Sequence, residues 1–282
     1  CLIAALGSAI MGLYANYPIA LAPGMGLNAF FTYTVVLTMG YTWQVALGAV
    51  FISAMLFFLL SIFRIREWII NSIPLPLRSA ITAGIGLFLA LIALKEAGLV
   101  VDNPATLVGL GDLTAAGPLL AILGFVVIVA LDARRVTGAV MIGILLVTAI
   151  AIAIGITPFG GIVSMPPSIA PTFLQLDIVG ALDIGMLSVI FAFLFVDLFD
   201  NTGTLIGVAK RAGLMGADGH LPKMGRALIA DSTAAMGGSL LGTSTTTSYI
   251  ESAAGVAAGG RTGLTACVVA VLFLLALFFA PL

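Results

Sequence analysis

Carboxylates set inside apolar runs are the residues most able to do chemistry in this sequence. Asp197 and Asp200 stand in LDIGMLSVIFAFLFVDLFDNTGTLIGV, Leu182 to Val208, and Glu251 stands in SYIESAAGVAAGG, Ser248 to Gly260. An ionised carboxylate accepts hydrogen bonds and donates none. At membrane depth it is costly unless it faces a cavity, a partner or a proton. The chemistry this points to is recognition of N–H donors on a solute, with a proton as second ligand, because a buried carboxyl can take up a proton on one side and release it on the other. On a helix, Asp197, Asp200 and Thr204 fall at i, i+3 and i+7 and share a face. The reading is a carrier and not an enzyme, with no cofactor, no metal and no nucleic acid.

These residues need membrane-spanning elements to hold them. With 61% hydrophobic and 8% charged residues, against about 25% charged in soluble domains, the chain reads as an integral membrane protein. Its apolar runs match the roughly 20 residues a helix needs to cross the bilayer, and period-2 barrel patterning is missing. Spans are expected at 1–14, 19–37, 43–63, 81–99, 118–131, 136–156, 182–208, 227–241, 246–259 and 264–280, with a loop at 105–116 and a proline-rich external connector at 157–182. Two of these segments are interrupted. In IALAPGMGLNAFFTYTVVL, Pro23, Gly24 and Gly26 predict an extended start with a helix beginning near Gly26. The alanine- and glycine-rich run around Glu251 is its counterpart. Paired interrupted segments mark the midplane solute site of inverted-repeat transporters.

Of the 11 Lys and Arg residues, ten follow odd-numbered spans: Arg64, Arg66, Arg78, Arg134, Arg135, Lys210, Arg211, Lys223, Arg226 and Arg261. Only Lys95 falls near the other face, so the positive-inside rule makes the basic loops cytoplasmic. Asp231, near Arg226, reads as an interfacial helix-start residue. Cys1 and Cys267 read as small core residues, and the single histidine, His220, lies in a polar loop. The chain opens at Cys1 and closes at Leu282 within apolar runs, which reads as an internal segment of a longer transporter.

Three stretches then carry a resemblance: ANYPIALAPGMGLNAFFTY (Ala15 to Tyr33), FLFVDLFDNTGTLIGVAKRAG (Phe193 to Gly213) and LGTSTTTSYIESAAGVAAGGRTGL (Leu241 to Leu264). They resemble the signature segments of the AzgA-like adenine, guanine and hypoxanthine permeases, within the nucleobase-ascorbate (xanthine/uracil permease) superfamily. The resemblance implies an all-α polytopic fold of fourteen spans in two inverted seven-span repeats, with two interrupted helices, a core and a gate domain, proton symport and a homodimer. The ten visible spans would be the second to the eleventh, so the segment alone should not transport. In this frame 1–63 are core spans of the first repeat, 64–182 gate spans with the external connector, and 183–282 core spans of the second repeat. The resemblance places the base-binding acids at Asp200 and Glu251, and an additional acid at Asp197. Thr204 falls where some uracil-type members carry a histidine, so no relay role transfers to it.

The residue chemistry is compatible with a purine. Guanine and hypoxanthine present N–H donors on the Watson–Crick edge, which suit the carboxylates of Asp200 and Glu251. Backbone groups at Ala22 and Gly24 and the ring of Tyr249 complete the expected substrate site, with Asn28 and Thr204 supporting; Asp197, Asp200 and Glu251 are the proton-coupling candidates. The expected location is the plasma membrane, the inner membrane if the source is bacterial. The rival readings are a same-fold carrier of xanthine, uracil or an anion, the last disfavoured by two or three acids, and more distantly an intramembrane aspartyl protease, through Gly109-Leu110-Gly111-Asp112. Gly24-Met25-Gly26 is too short for a dinucleotide fingerprint.

Overall fold

The computed structural model describes residues 1–63, 74–136, 138–216 and 221–279. Arg64, Arg66 and His220 lie outside these. Helix α1, Leu2–Ile10, widens into a π-helical stretch, Met11–Ala15, and a left-handed Asn16 at φ 59° ends it. A three-residue strand β1, Leu21–Pro23, leads into α2, Met25–Ala29, prolonged to Thr38 by a second π-helical stretch. Then come α3, Trp43–Ile62, and α4, Leu75–Glu96. Strands β2, Val100–Asn103, and β3, Leu107–Leu110, precede α5, Ala116–Ala133, and α6, Ala139–Ala153. A short α7, Ile178–Ala181, leads to the acid-bearing α8, Ile184–Arg211. The chain continues with α9, Met224–Leu241, β4, Thr246–Ser248, α10, Ser252–Ala257, and α11, Gly263–Ala276.

Each expected span is thus a helix or a strand-plus-helix. Among the described residues α3, α5 and α8 are by themselves long and apolar enough to cross a membrane. Two local expectations fail. Residues 105–116 are not simply a loop: β2 and β3 form an antiparallel hairpin with Val100 opposite Leu110. Asn103 Oδ1 closes its turn by accepting from the N–H of Ala105 at 2.9 Å. And α4 starts at Leu75, not Ile81, because Pro76 falls in the first turn, where its missing N–H breaks no helical bond.

The chain divides into two compact units, one of Cys1–Ala83 with the chain from Ser164 onward, the other Gly84–Val163. The second unit holds α4 from Gly84 onward, the hairpin, and α5 packed on α6. In the first unit α3 lies on α8 and α9, and α1 lies on α9 and α11. Two apolar clusters fill it. One joins Leu205 and Val208 of α8 to Met11, Ile19 and Leu228; the other joins Ile190 and Phe193 of α8 to Leu27, Val35 and Val50. Phe30 meets Phe193 edge to face at 5.2 Å.

Small residues let these helices approach, as membrane helix packing requires in the absence of a strong hydrophobic drive between helices. A Cβ on Gly263 would lie 2.0 Å from the Gly12 carbonyl oxygen, and one on Gly48 2.2 Å from the Asp177 carbonyl oxygen. Asn16 Oδ1 accepts from the N–H of Gly263 at 2.9 Å and so caps α11. Basic residues gather at this end: Arg261 donates to the Arg211 carbonyl at 3.0 Å, and the Arg226 guanidinium lies 5.7 Å from the Tyr14 ring centre. Of the cysteines, Cys267 is half-buried and Cys1 is exposed.

Overpacking of this kind costs about 1–3 kcal/mol. Gly263→Ala is expected to lower the thermal unfolding midpoint in detergent. Gly207→Ala, inside α8 with open space around its Cβ position, is expected to raise it through the roughly 0.5–1 kcal/mol advantage of alanine in a helix.

Candidate functional site

Where both helices break, their backbones pair. Strands β1 and β4 are antiparallel, Leu21 opposite Ser248, Ala22 opposite Thr247 and Pro23 opposite Thr246. The N–H of Gly24 donates to Thr245 O at 2.9 Å, and that of Tyr249 to Ala20 O at 2.9 Å. Bonded and unbonded pairs alternate in an antiparallel ladder, so Ala22 and Thr247 form the bonded pair between these two. Pro23 sits at an unbonded position, where a missing N–H removes nothing from the ladder.

The outward-facing groups are met by side chains. Ser8 Oγ accepts from Leu21 N at 2.9 Å and donates to Leu21 O at 3.2 Å. Ser252 Oγ accepts from Ala20 N at 3.0 Å. The Tyr249 hydroxyl donates to Pro23 O at 2.6 Å, and Asn28 N donates to Gly24 O at 2.8 Å. Every backbone N–H from Ala20 to Gly24 therefore has a partner. This revises the expectation that Ala22 and Gly24 offer free backbone groups, because β4 takes their N–H donors. It also gives Tyr249 a bond that ties the two interrupted segments together. Asn28 accepts from the Ser244 hydroxyl, which binds α2 to the residue leading into β4.

The acids come from two elements. Asp200 is half-buried on α8, and Glu251 is exposed at the first turn of α10. They are close enough for their charges to interact, and Tyr249 is within electrostatic reach of both. Asp197 and Thr204 are more deeply buried, at 2% and 3% exposure.

The centre of the buried face of α8 is not where the acid spacing alone placed it. Asn201, four residues after Asp197 and three before Thr204, is fully buried, and neither end of its amide has a hydrogen-bond partner among the described residues. Spacing from Asp197 and Thr204 was the signal available for it. Asp231 is the second correction. It is not interfacial: α9 begins three residues before Ala227, which carries Asp231 seven residues past Met224 to 0% exposure, 3.5 Å from the Ser248 hydroxyl. The run Ser244 to Ser248 is buried throughout, and the hydroxyls of Thr245, Thr246 and Thr247 have no partner among the described residues. Asp112, of the Gly-x-Gly-Asp stretch, is exposed in the turn before α5. Thr114 donates to it from Oγ1 at 2.6 Å and from N at 2.9 Å, which holds its carboxyl below the usual carboxylate range.

Two interrupted apolar segments thus pair at their breaks, with the acid-bearing helix α8 packed beside them. The transmembrane domain of the cyanobacterial bicarbonate transporter BicA superposes with a TM-score of 0.66 at 14% identity, covering 98% of this chain and 72% of that one, a likeness of fold. Residues 1–282 match Xan_ur_permease, described as Permease family. The chain belongs to this family and is a multi-pass membrane protein. It is 50% identical over 282 residues to the adenine permease AdeQ of Escherichia coli (strain K12), and 50% identical over 284 residues to the guanine/hypoxanthine permease PbuG of Bacillus subtilis (strain 168). It is covered completely in both, and spans 64% of the length of each.

The bond from Tyr249 to Pro23 gives a direct test of the junction. Tyr249→Phe keeps the ring and removes the donor, and is expected to lower unfolding stability by about 1 kcal/mol, the usual net value of one hydrogen bond. The thermal midpoint of the purified protein in detergent measures it.

Proposed function

We propose that the protein carrying this chain takes up purine nucleobases by proton symport, with Asp200 and Glu251 holding the base. The observation that carries the reading is that α8, which bears Asp200, packs on both β4 and α10, the elements that flank Glu251, beside the paired interrupted segments. The relatives that share half of the sequence are named for adenine and for guanine/hypoxanthine, which supports the substrate class.

The two carboxylates accept from the N–H groups of the Watson–Crick edge, bonds that are strong because the acceptor is charged. Tyr249 lies alongside, its ring fixed by its hydroxyl bond to Pro23. Symport follows if a carboxyl gains a proton on the outside and loses it inside; Asp197, Asp200 and Glu251 are the groups available for this. Asn28 and Thr204 support the site from α2 and α8. The residues Cys1 to 63 and 183 onward form the core domain and 64–182 the gate domain with its external connector. The compact division at Ala83 and Ser164 supports a division of this kind with shifted borders. The basic end marked by Arg211, Arg226 and Arg261 faces the cytoplasm, across the plasma membrane or a bacterial inner membrane. The working unit is a homodimer. A same-fold anion carrier is the second reading, and the paired carboxylates repel its solute.

The test is uptake of radiolabelled hypoxanthine by cells without purine permeases of their own, expressing the whole gene. Saturable uptake, stronger at acid than at neutral external pH and competed by guanine and adenine, is expected. In well-expressed Asp200→Asn and Glu251→Gln variants a loss of about a hundredfold or more is expected, since a charged hydrogen bond is worth about 1.5–3 kcal/mol and the proton route goes with it. Absence of purine uptake by the membrane-localised parent overturns the assignment.

A further inference from the structure

We propose that Thr245 and Thr247 are specificity-determining residues of the solute site, their hydroxyls donating to acceptor nitrogens of the purine ring. This rests on the purine reading above. The argument begins with alternation along β4. Thr246 and Ser248 face α9: Thr246 Oγ1 lies 2.6 Å from where a Cβ on Gly238 would be, and Ser248 Oγ lies 3.5 Å from Asp231 Oδ1. Successive side chains of a strand point to opposite faces. Thr245 and Thr247 therefore point away from α9, to the face shared with Ala22 and Gly24. Thr247 Cγ2 lies 2.9 Å from a Cβ built on Gly24, which agrees. Tyr249 continues this alternation, and its hydroxyl bonds Pro23 across the ladder.

The donors on that face of the ladder argue for the role, beside the unpartnered amide of Asn201 on α8. Carboxylates supply acceptors only. The N–H groups of Ala22, Gly24 and Tyr249 are taken by the ladder, and the Tyr249 hydroxyl is given to Pro23. A purine carries acceptor nitrogens at N3 and N7 as well as donors, and these need a donor from the protein. Thr245 and Thr247 are 4% and 2% exposed, and their hydroxyls have no partner among the described residues. A hydroxyl rotates freely and both gives and accepts, so the same pair serves adenine and the oxopurines.

The test measures binding to the purified product of the whole gene. Parent, Thr245→Val, Thr247→Val, the double variant and Thr246→Val are titrated with hypoxanthine, 3-deazahypoxanthine and 7-deazahypoxanthine. Each analogue replaces one acceptor nitrogen by C–H. The parent is expected to bind at least one analogue about five- to tenfold more weakly than hypoxanthine, the value of one net hydrogen bond. The double variant is expected to bind all three ligands alike, at the parent's affinity for the weaker analogue. Thr246→Val, equally buried but on the other face, is expected to match the parent. The inference is overturned if the parent binds all three alike, if the double variant still discriminates, or if Thr246→Val is as impaired as Thr247→Val. A folded parent that binds no purine overturns the purine reading itself.

Discussion

A backbone that stops being helical in the middle of a membrane must find hydrogen bonds elsewhere, and the rest of this structure follows from how it does so. The solution is a three-pair antiparallel ladder between two segments far apart in the chain, Leu21–Pro23 and Thr246–Ser248. Its edges are closed by side chains: Ser8 on one side, Ser252 at one end, Tyr249 across the junction. Because the backbone satisfies itself, the hydroxyls of Thr245 and Thr247 on one face of the ladder are not needed to hold it. The other face is locked to α9 through Thr246 and through the Ser248–Asp231 contact.

This arrangement explains the composition of α8. Apolar residues toward its two ends belong to separate core clusters, one around Phe193, the other around Leu205. Between them the polar turns with Asp197, Asn201 and Thr204 cross the level of the ladder. On an exposed side of the same helix Phe191 stacks on Phe195 at 5.6 Å.

Much of this was legible in the sequence, for physical reasons. Proline and two glycines at 23–26 cannot continue a helix inward from Ile19, and α2 starts at Met25, one residue from where they placed it. Carboxylates in apolar runs marked α8 and α10. The arginines ordered the spans, and the basic end assembled by Arg211, Arg226 and Arg261 is their structural counterpart in the larger unit. What could not be read was anything that depends on a distant partner. The register of β1 on β4 is set by residues more than 220 positions apart, and no local pattern in TTTS says which hydroxyls face α9. Asp231 was misplaced because its neighbour Arg226 looked like a helix start, when the helix had begun at Met224 and carried it inward. The hairpin at 100–110 was missed because its strands are short and its turn depends on a single side chain, Asn103.

The ladder also fixes an order of events in synthesis. Pro23 and Tyr249 are 226 residues apart, so at about 5–20 residues per second the first strand leaves the ribosome roughly 10–45 s before its partner exists. Through that interval its N–H and C=O groups face the membrane with local help only. Ser8, 13 residues upstream, is already made and can hold Leu21 from the start. The remaining bonds wait for the second half of the chain. The ladder therefore cannot close until Thr246–Ser248 has been made, and a chain arrested before Thr246 carries an unpaired strand edge.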